Sequence, residues 1–204
     1  MTDLAHMEHE SYPDTHHDIY SKTIFGFWLY LLTDFILFAS FFATYAVLYR
    51  GTYGGPSAFD LFDLPLVLIQ TFILLTSSLT SGLAGAFAHR KNKNATIALF
   101  ALTFILGFAF TWMEFSEFTR FVQQGNGWQR SAFLSAVFTL VGTHSIHMLF
   151  AMLWVIVLLV PVFREGCTSV SIRRLTCLRM FWQFLNIVWV FIFTMVYMGG
   201  NCRA

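Results

Sequence analysis

Seven side chains with chemistry to offer lie inside long apolar runs: Asp34, Glu114, Glu117, His144, His147, Gln183 and Asn186. Asp34 stands alone, about 11 residues and so about 16 Å into the first run, near the centre of a bilayer. A carboxylate at that depth costs at least ~2.5 kcal/mol unless protein or water faces it. Asp34 therefore reads either as a proton-relay or lipid-headgroup contact, or as a structural acid bonded to a neighbouring helix. Glu114 and Glu117 are three apart on one helical face. Counting from Ala95 puts Glu114 about 28 Å along its run, close to the far interface, where the two acids read equally as a solvated helix end or as functional groups. Paired carboxylates also serve glycoside hydrolysis, but nothing nearby resembles a sugar cleft.

His144 and His147 share the same spacing in Gly142-Thr-His-Ser-Ile-His147. Two imidazoles on one face suit a metal or haem only when other helices add ligands. His89, at a helix end, and the four histidines of the amino-terminal tail do not supply them. A hydrogen-bonded core pair is the expectation. Gln183 and Asn186 form a third such pair, of amides able to bond across helices without carrying charge. Together these residues predict a polar seam inside a bundle, with no assembled active site.

Five apolar stretches must position them: Thr23–Tyr49, Pro65–Ala88, Ala95–Val122, Ser131–Phe163 and Cys177–Met198. Each reaches the roughly 20 residues that cross a 30 Å hydrocarbon layer. Each must be helical, because lipid offers backbone amides no partners. The expected fold is an all-α integral membrane protein, a five-helix transmembrane bundle over residues 23–204 behind an acidic, His-rich tail at 1–22. The tail carries no Lys or Arg before Lys22, so it lacks the positive start of a signal peptide. A solvated tail is expected there; its histidines lack the Cys partners and regular spacing of a metal site.

Composition agrees. The chain is 57% hydrophobic and only 11% charged, against about 25% charged in soluble domains. The net charge of +1 carries no nucleic-acid signal. Of the 12 Lys and Arg, eight fall on the amino-terminal side of the bundle if that end is cytoplasmic, and four opposite. Positive residues favour the inside, so the expected topology is amino end cytoplasmic and carboxyl end periplasmic. Cys167 and Cys177 then stay reduced and Cys202 stands alone outside.

Turn chemistry in Gly51–Pro56 is followed by Asp63 as a helix cap and Pro65 in the first turn. Pro161 and Gly166 mark the end of the fourth helix. Trp28 and Trp182 are expected near the inner interface, Trp112 and Trp128 near the outer. In the second helix Ser78, Gly82 and Ala86 stack one turn apart, a small-residue stripe that lets a backbone approach closely. It serves packing within the bundle or docking onto a partner.

Four segments resemble one family in the right order. Phe25-Gly-Phe-Trp-Leu-Tyr-Leu-Leu-Thr-Asp34 with Phe41-Phe-Ala-Thr-Tyr45 is similar to the opening of haem–copper oxidase subunit III. Trp112-Met-Glu-Phe-Ser-Glu117 resembles its paired-glutamate segment, Val141-Gly-Thr-His-Ser-Ile-His147 its glycine–histidine helix, and Phe181-Trp with Val188-Trp189 its last helix. The likeness spans Lys22 to Gly199. Five helices, the tail and the Gly-Gly-Pro56 loop look most like the bo-type ubiquinol oxidase branch.

The resemblance implies a subunit without redox centres in a bacterial inner membrane. Haem, copper and ubiquinol would sit in partner chains, with subunit I as the main contact and subunits II and IV completing the complex. It implies support of proton uptake and stability in subunit I, and a possible bound phospholipid. Asp34, Glu114, Glu117, His144 and His147 fall on its motif positions. Gln183 and Asn186 depart, standing where the family has His and Asp, so a titrating role for that pair is not carried over. The rival expectation is a free-standing transporter or proton channel using Asp34 and the histidine pair, although no inverted repeat or broken helix pair appears.

Overall fold

A computed structural model describes residues 15–49, 51 and 63–199. The expectations about the tail before Thr15, most of the Gly51–Pro56 loop and Cys202 lie outside those residues. All regular structure described is helical: α1 Thr15–Leu48, α2 Leu64–His89, α3 Lys93–Gln123, α4 Ala132–Glu165 and α5 Ser169–Ile192, which runs on as a π-helical turn, Phe193–Met198. All five are long and apolar enough to cross a membrane.

Local chemistry sets the starts. Asn92 accepts from Ala95 N, Ser131 from Leu134 N at 3.1 Å and Thr168 from Ser171 N at 3.2 Å, satisfying amides that the first helical turn leaves orphaned. Asp63 occupies the cap position of α2, with Pro65 in its first turn, but its carboxylate does not cap. It bonds instead to Arg120 Nη1 at 2.6 Å, tying the start of α2 to the end of α3. Gly166, at φ 80°, takes the left-handed turn that ends α4. Pro161 lies inside that helix and does not end it.

Two helices begin eight residues before the apolar runs. α1 starts at Thr15 rather than Thr23, and α5 at Ser169 rather than Cys177. The first turns of α5 carry Arg173 and Arg174, polar residues that a hydropathy count excludes but a capped helix end tolerates. The earlier start moves Trp182 about 20 Å into the span. Trp182 is therefore a core residue at 1% exposure, not the interfacial anchor expected, whereas Trp28, Trp112 and Trp128 are exposed.

α5 holds the bundle together, packing on α2, α4 and α1, while α3 bridges α2 and α4. Its inward face presents Trp182 and Trp189, seven residues apart. Trp182 Nε1 donates to Ser77 Oγ and Trp189 Nε1 to Thr71 Oγ1, both at 3.1 Å, so two indoles bolt α5 to α2. Thr80 and Thr103 pair their hydroxyls at 2.8 Å between α2 and α3. In lipid such bonds and close packing replace the hydrophobic drive between helices.

Close packing needs missing side chains. A Cβ at Gly107 would stand 2.6 Å from the Trp182 ring, and one at Gly85 would stand 2.7 Å from Arg179 Nη1. The row of α2 that packs inside the chain is thus Ser77, Ser81, Ala84, Gly85 and Ala88, all buried. The expected stripe lies one residue further round. Ser78 and Gly82 are half-buried and Ala86 is exposed.

Gly107→Ala should therefore destabilise the bundle by about 1–3 kcal/mol through overpacking against Trp182. Thermal melting in mild detergent, followed by circular dichroism, should show a lower transition. A melt superimposable on wild type would remove this contact from the packing account.

Candidate functional site

The polar seam resolves into two histidine–carboxylate pairs that diverge from α4. His144, fully buried, has its Nε2 3.2 Å from the carbonyl of Leu185. A carbonyl only accepts, so Nε2 carries the hydrogen and Nδ1 is turned toward Glu114 of α3, 3.9 Å from Oε1. His147 is built the same way with its nitrogens exchanged. Nδ1 donates to Thr143 O at 2.8 Å and Nε2 faces Asp34 of α1, 4.0 Å from Oδ1. Three residues along a helix leave the two side chains about 60° apart round the axis, and from these positions the rings meet α3 and α1 respectively.

The backbone carbonyls thus fix both tautomers. The remaining nitrogen of each ring looks at a carboxylate across a gap slightly too long for a direct hydrogen bond. Each pair can hold one proton between ring and acid once that gap closes by a rotamer adjustment. Aromatic walls keep the rings in place: Trp189 and Phe110 flank His144, and Phe38 and Phe181 flank His147. The surroundings differ. Glu114 is 2% exposed, whereas His147 borders an apolar groove of about 710 Å³ between α1, α4 and α5. Tyr30, one turn before Asp34, brings its hydroxyl within reach of that carboxylate and lines the same groove.

Glu114 and Glu117 are not a solvated helix end. Both are buried, because α3 runs on to Gln123 and lays this face against α2 and α4. Gln70 of α2, completely buried, lies beside Glu117 without closing a hydrogen bond. Arg120, the partner of Asp63, is one turn from Glu117. Tyr197 enters the same cluster from the π-helical turn and is within electrostatic reach of both glutamates. Tyr197 and Val196 are both buried on that turn. Gln70 and Tyr197 were not anticipated. The only signal was a glutamine in an otherwise apolar run, since a π-helical turn leaves no mark in hydropathy.

The amides behave differently from expectation. Asn186 turns back on its own helix, Nδ2 donating to Trp182 O at 2.9 Å, and Gln183 points outward. Among the described residues neither bonds across to another helix. Among those residues, too, no three His, Cys, Asp or Glu side chains converge as a metal site would require.

The sequence matches the family described as cytochrome c oxidase subunit III over residues 4–201. The chain belongs to that family. Subunit III relatives include the cytochrome bo(3) ubiquinol oxidase subunit 3 of Pseudomonas aeruginosa, 51% identical over 92% of this chain and 90% of its own length. That of Pseudomonas putida is 44% identical over 90% and 89%. A subunit III named for the other electron donor, cytochrome c oxidase subunit 3 of Bacillus sp. PS3, is 43% identical over 86% and 84%. The motif segments that suggested the family carry the four residues of both histidine–carboxylate pairs.

A double-mutant cycle tests the pairing. Glu114→Gln with His144→Leu, and Asp34→Asn with His147→Leu, should each show coupling of about 0.5–3 kcal/mol in thermal stability. The crossed combination, Glu114→Gln with His147→Leu, should be additive. Equal coupling in both arrangements would mean one shared network rather than two pairs.

Proposed function

We propose that this chain is the non-catalytic third subunit of a proton-pumping cytochrome bo-type ubiquinol oxidase in a bacterial inner membrane. Its amino end faces the cytoplasm and its carboxyl end the periplasm. It packs beside subunit I, with subunits II and IV in the same complex, and it supports the stability and proton uptake of subunit I. Haem, copper and ubiquinol belong to the partner chains. The observation that carries this reading is the relationship to ubiquinol oxidase subunits 3 over nine-tenths of both chains.

Two features support a role without electron transfer. The intramembrane histidines each face a single carboxylate on a neighbouring helix, His144 toward Glu114 and His147 toward Asp34, and among the described residues no third metal-ligating side chain joins either pair. Relatives named for cytochrome c and for quinol are also almost equally similar to this chain, as fits a subunit that does not meet the donor.

Asp34, His147 and Tyr30 supply proton-exchanging groups at mid-membrane beside an open groove, and we assign the support of proton uptake to them. The groove adjoins a second hollow lined by Arg173 and Arg174. An acyl chain against Phe27, Trp154 and Phe181, with its phosphate at the two arginines, fits the pair of hollows as a bound phospholipid.

Purification in mild detergent with mass spectrometry of the accompanying chains tests the assignment. Haem-bearing subunits should travel with this chain in fixed proportion; a chain recovered alone or only with copies of itself would refute it. Asp34→Asn should slow proton uptake and turnover of the intact oxidase modestly, by less than about tenfold. Unchanged turnover together with unchanged retention of the subunit would remove Asp34 from the mechanism.

A further inference from the structure

Another groove, between α3 and α4, combines an apolar floor with a basic mouth. It holds about 490 Å³, with Ile97, Ala101 and Ile105 on one wall and Ile156, Val160 and Phe163 on the other. Ile105, Ile156, Val160 and Phe163 are exposed. The groove shares no residue with the groove at His147 or the hollow at Arg173 and Arg174.

Two cations stand at one end of it. Arg164, in the last turn of α4, lines the groove. Lys93, the first residue of α3, reaches across to α4, its Nζ 5.5 Å from the centre of the Phe163 ring. That cation–π contact keeps the ammonium at the mouth. Among the described residues neither cation has an acidic partner. The α2–α3 turn and the end of α4 together carry Arg90, Lys91, Lys93 and Arg164 against one acid, Glu165.

Length decides between occupants. On α3 the groove reaches Ile105, 12 positions past Lys93 and so about 18 Å deeper. The hydrocarbon of one leaflet is about 15 Å, half of the 30 Å core. A transmembrane helix wants a face along the whole core, with small residues that let backbones approach. This groove stops near the midplane, and its walls are branched or aromatic except at Ala101. A flexible acyl chain from one leaflet fits both the length and the uneven walls.

We propose that the groove binds an anionic phospholipid, one acyl chain lying between α3 and α4 and the phosphate held by Lys93 and Arg164. The net negative charge follows from the mouth: a zwitterionic headgroup brings its own ammonium to a place that already has two cations. The site is separate from the phospholipid position given above, and it does not depend on which complex the chain joins.

The test uses the protein purified in mild detergent with the chains that accompany it, placed in phosphatidylcholine nanodiscs. A trace lipid with a photoreactive acyl chain is added, with a phosphatidylglycerol headgroup in one arm and a phosphatidylcholine headgroup in the other. Each basic residue at a membrane surface favours an anionic lipid by about fivefold. Labelling of residues 97–105 and 156–163 by the phosphatidylglycerol probe should therefore exceed that by the phosphatidylcholine probe by at least about fivefold. Lys93→Gln with Arg164→Gln should abolish the excess and leave labelling of Phe27 and Trp154, in the other groove, unchanged. Equal labelling by the two probes in the unsubstituted protein overturns the inference, as does an excess that survives the double substitution. Loss of the excess at both grooves would show general attraction to the bilayer in place of a site, and would overturn it too. A face that takes neither probe is covered by protein, which equally refutes the proposal while leaving the subunit assignment intact.

Discussion

Hydrocarbon offers a polar group nothing to bond, and the architecture of this chain follows from how that constraint is met. The backbone meets it by forming five helices. The indoles of Trp182 and Trp189 meet it on the hydroxyls of Ser77 and Thr71. His144 and His147 meet it on one side with backbone carbonyls and on the other with a carboxylate facing them from another helix. Each solution crosses between helices or fixes a ring that does, so polarity and tertiary structure are set by the same contacts. The apolar surface left over is large and faces outward, as lipid-facing surface does.

The same constraint separates the polar residues into groups with different prospects. Glu114, Glu117, Gln70 and Tyr197 are sealed among α2, α3, α4 and the π-helical turn. His147 and Tyr30 border a groove, with Asp34 partly buried beside them. Asn186 keeps an acceptor with no partner among the described residues, and Gln183 is exposed near the middle of its span.

Much of this was legible in the residues, and the failures have physical causes. The five spans stood out because their apolar runs exceed the bilayer thickness. The helix ends did not, because a capped, Arg-bearing first turn such as Ser169–Arg174 looks polar to any hydropathy count. That error displaced Trp182 to the interface, when it sits in the core against Gly107. The spacing of His144 and His147 pointed to one shared site, but their partners lie on different helices, and long-range pairing leaves no trace in local periodicity. The Glu114–Glu117 pair was read as solvated because depth was counted along one helix, without the neighbours that bury it. The small residues of α2 were seen as a face. Which of two adjacent rows packs inward depends on α5, and only the three-dimensional arrangement separates Ser77, Ser81 and Gly85 from Ser78, Gly82 and Ala86.

The central claim is that the buried polarity of this chain serves a neighbouring subunit while redox chemistry resides elsewhere. The most direct measurement is the visible absorption spectrum and oxygen uptake of the chain purified free of all other subunits. The account predicts no haem Soret band and no oxygen consumption. A stoichiometric Soret band, or oxygen uptake by the pure chain, would contradict it.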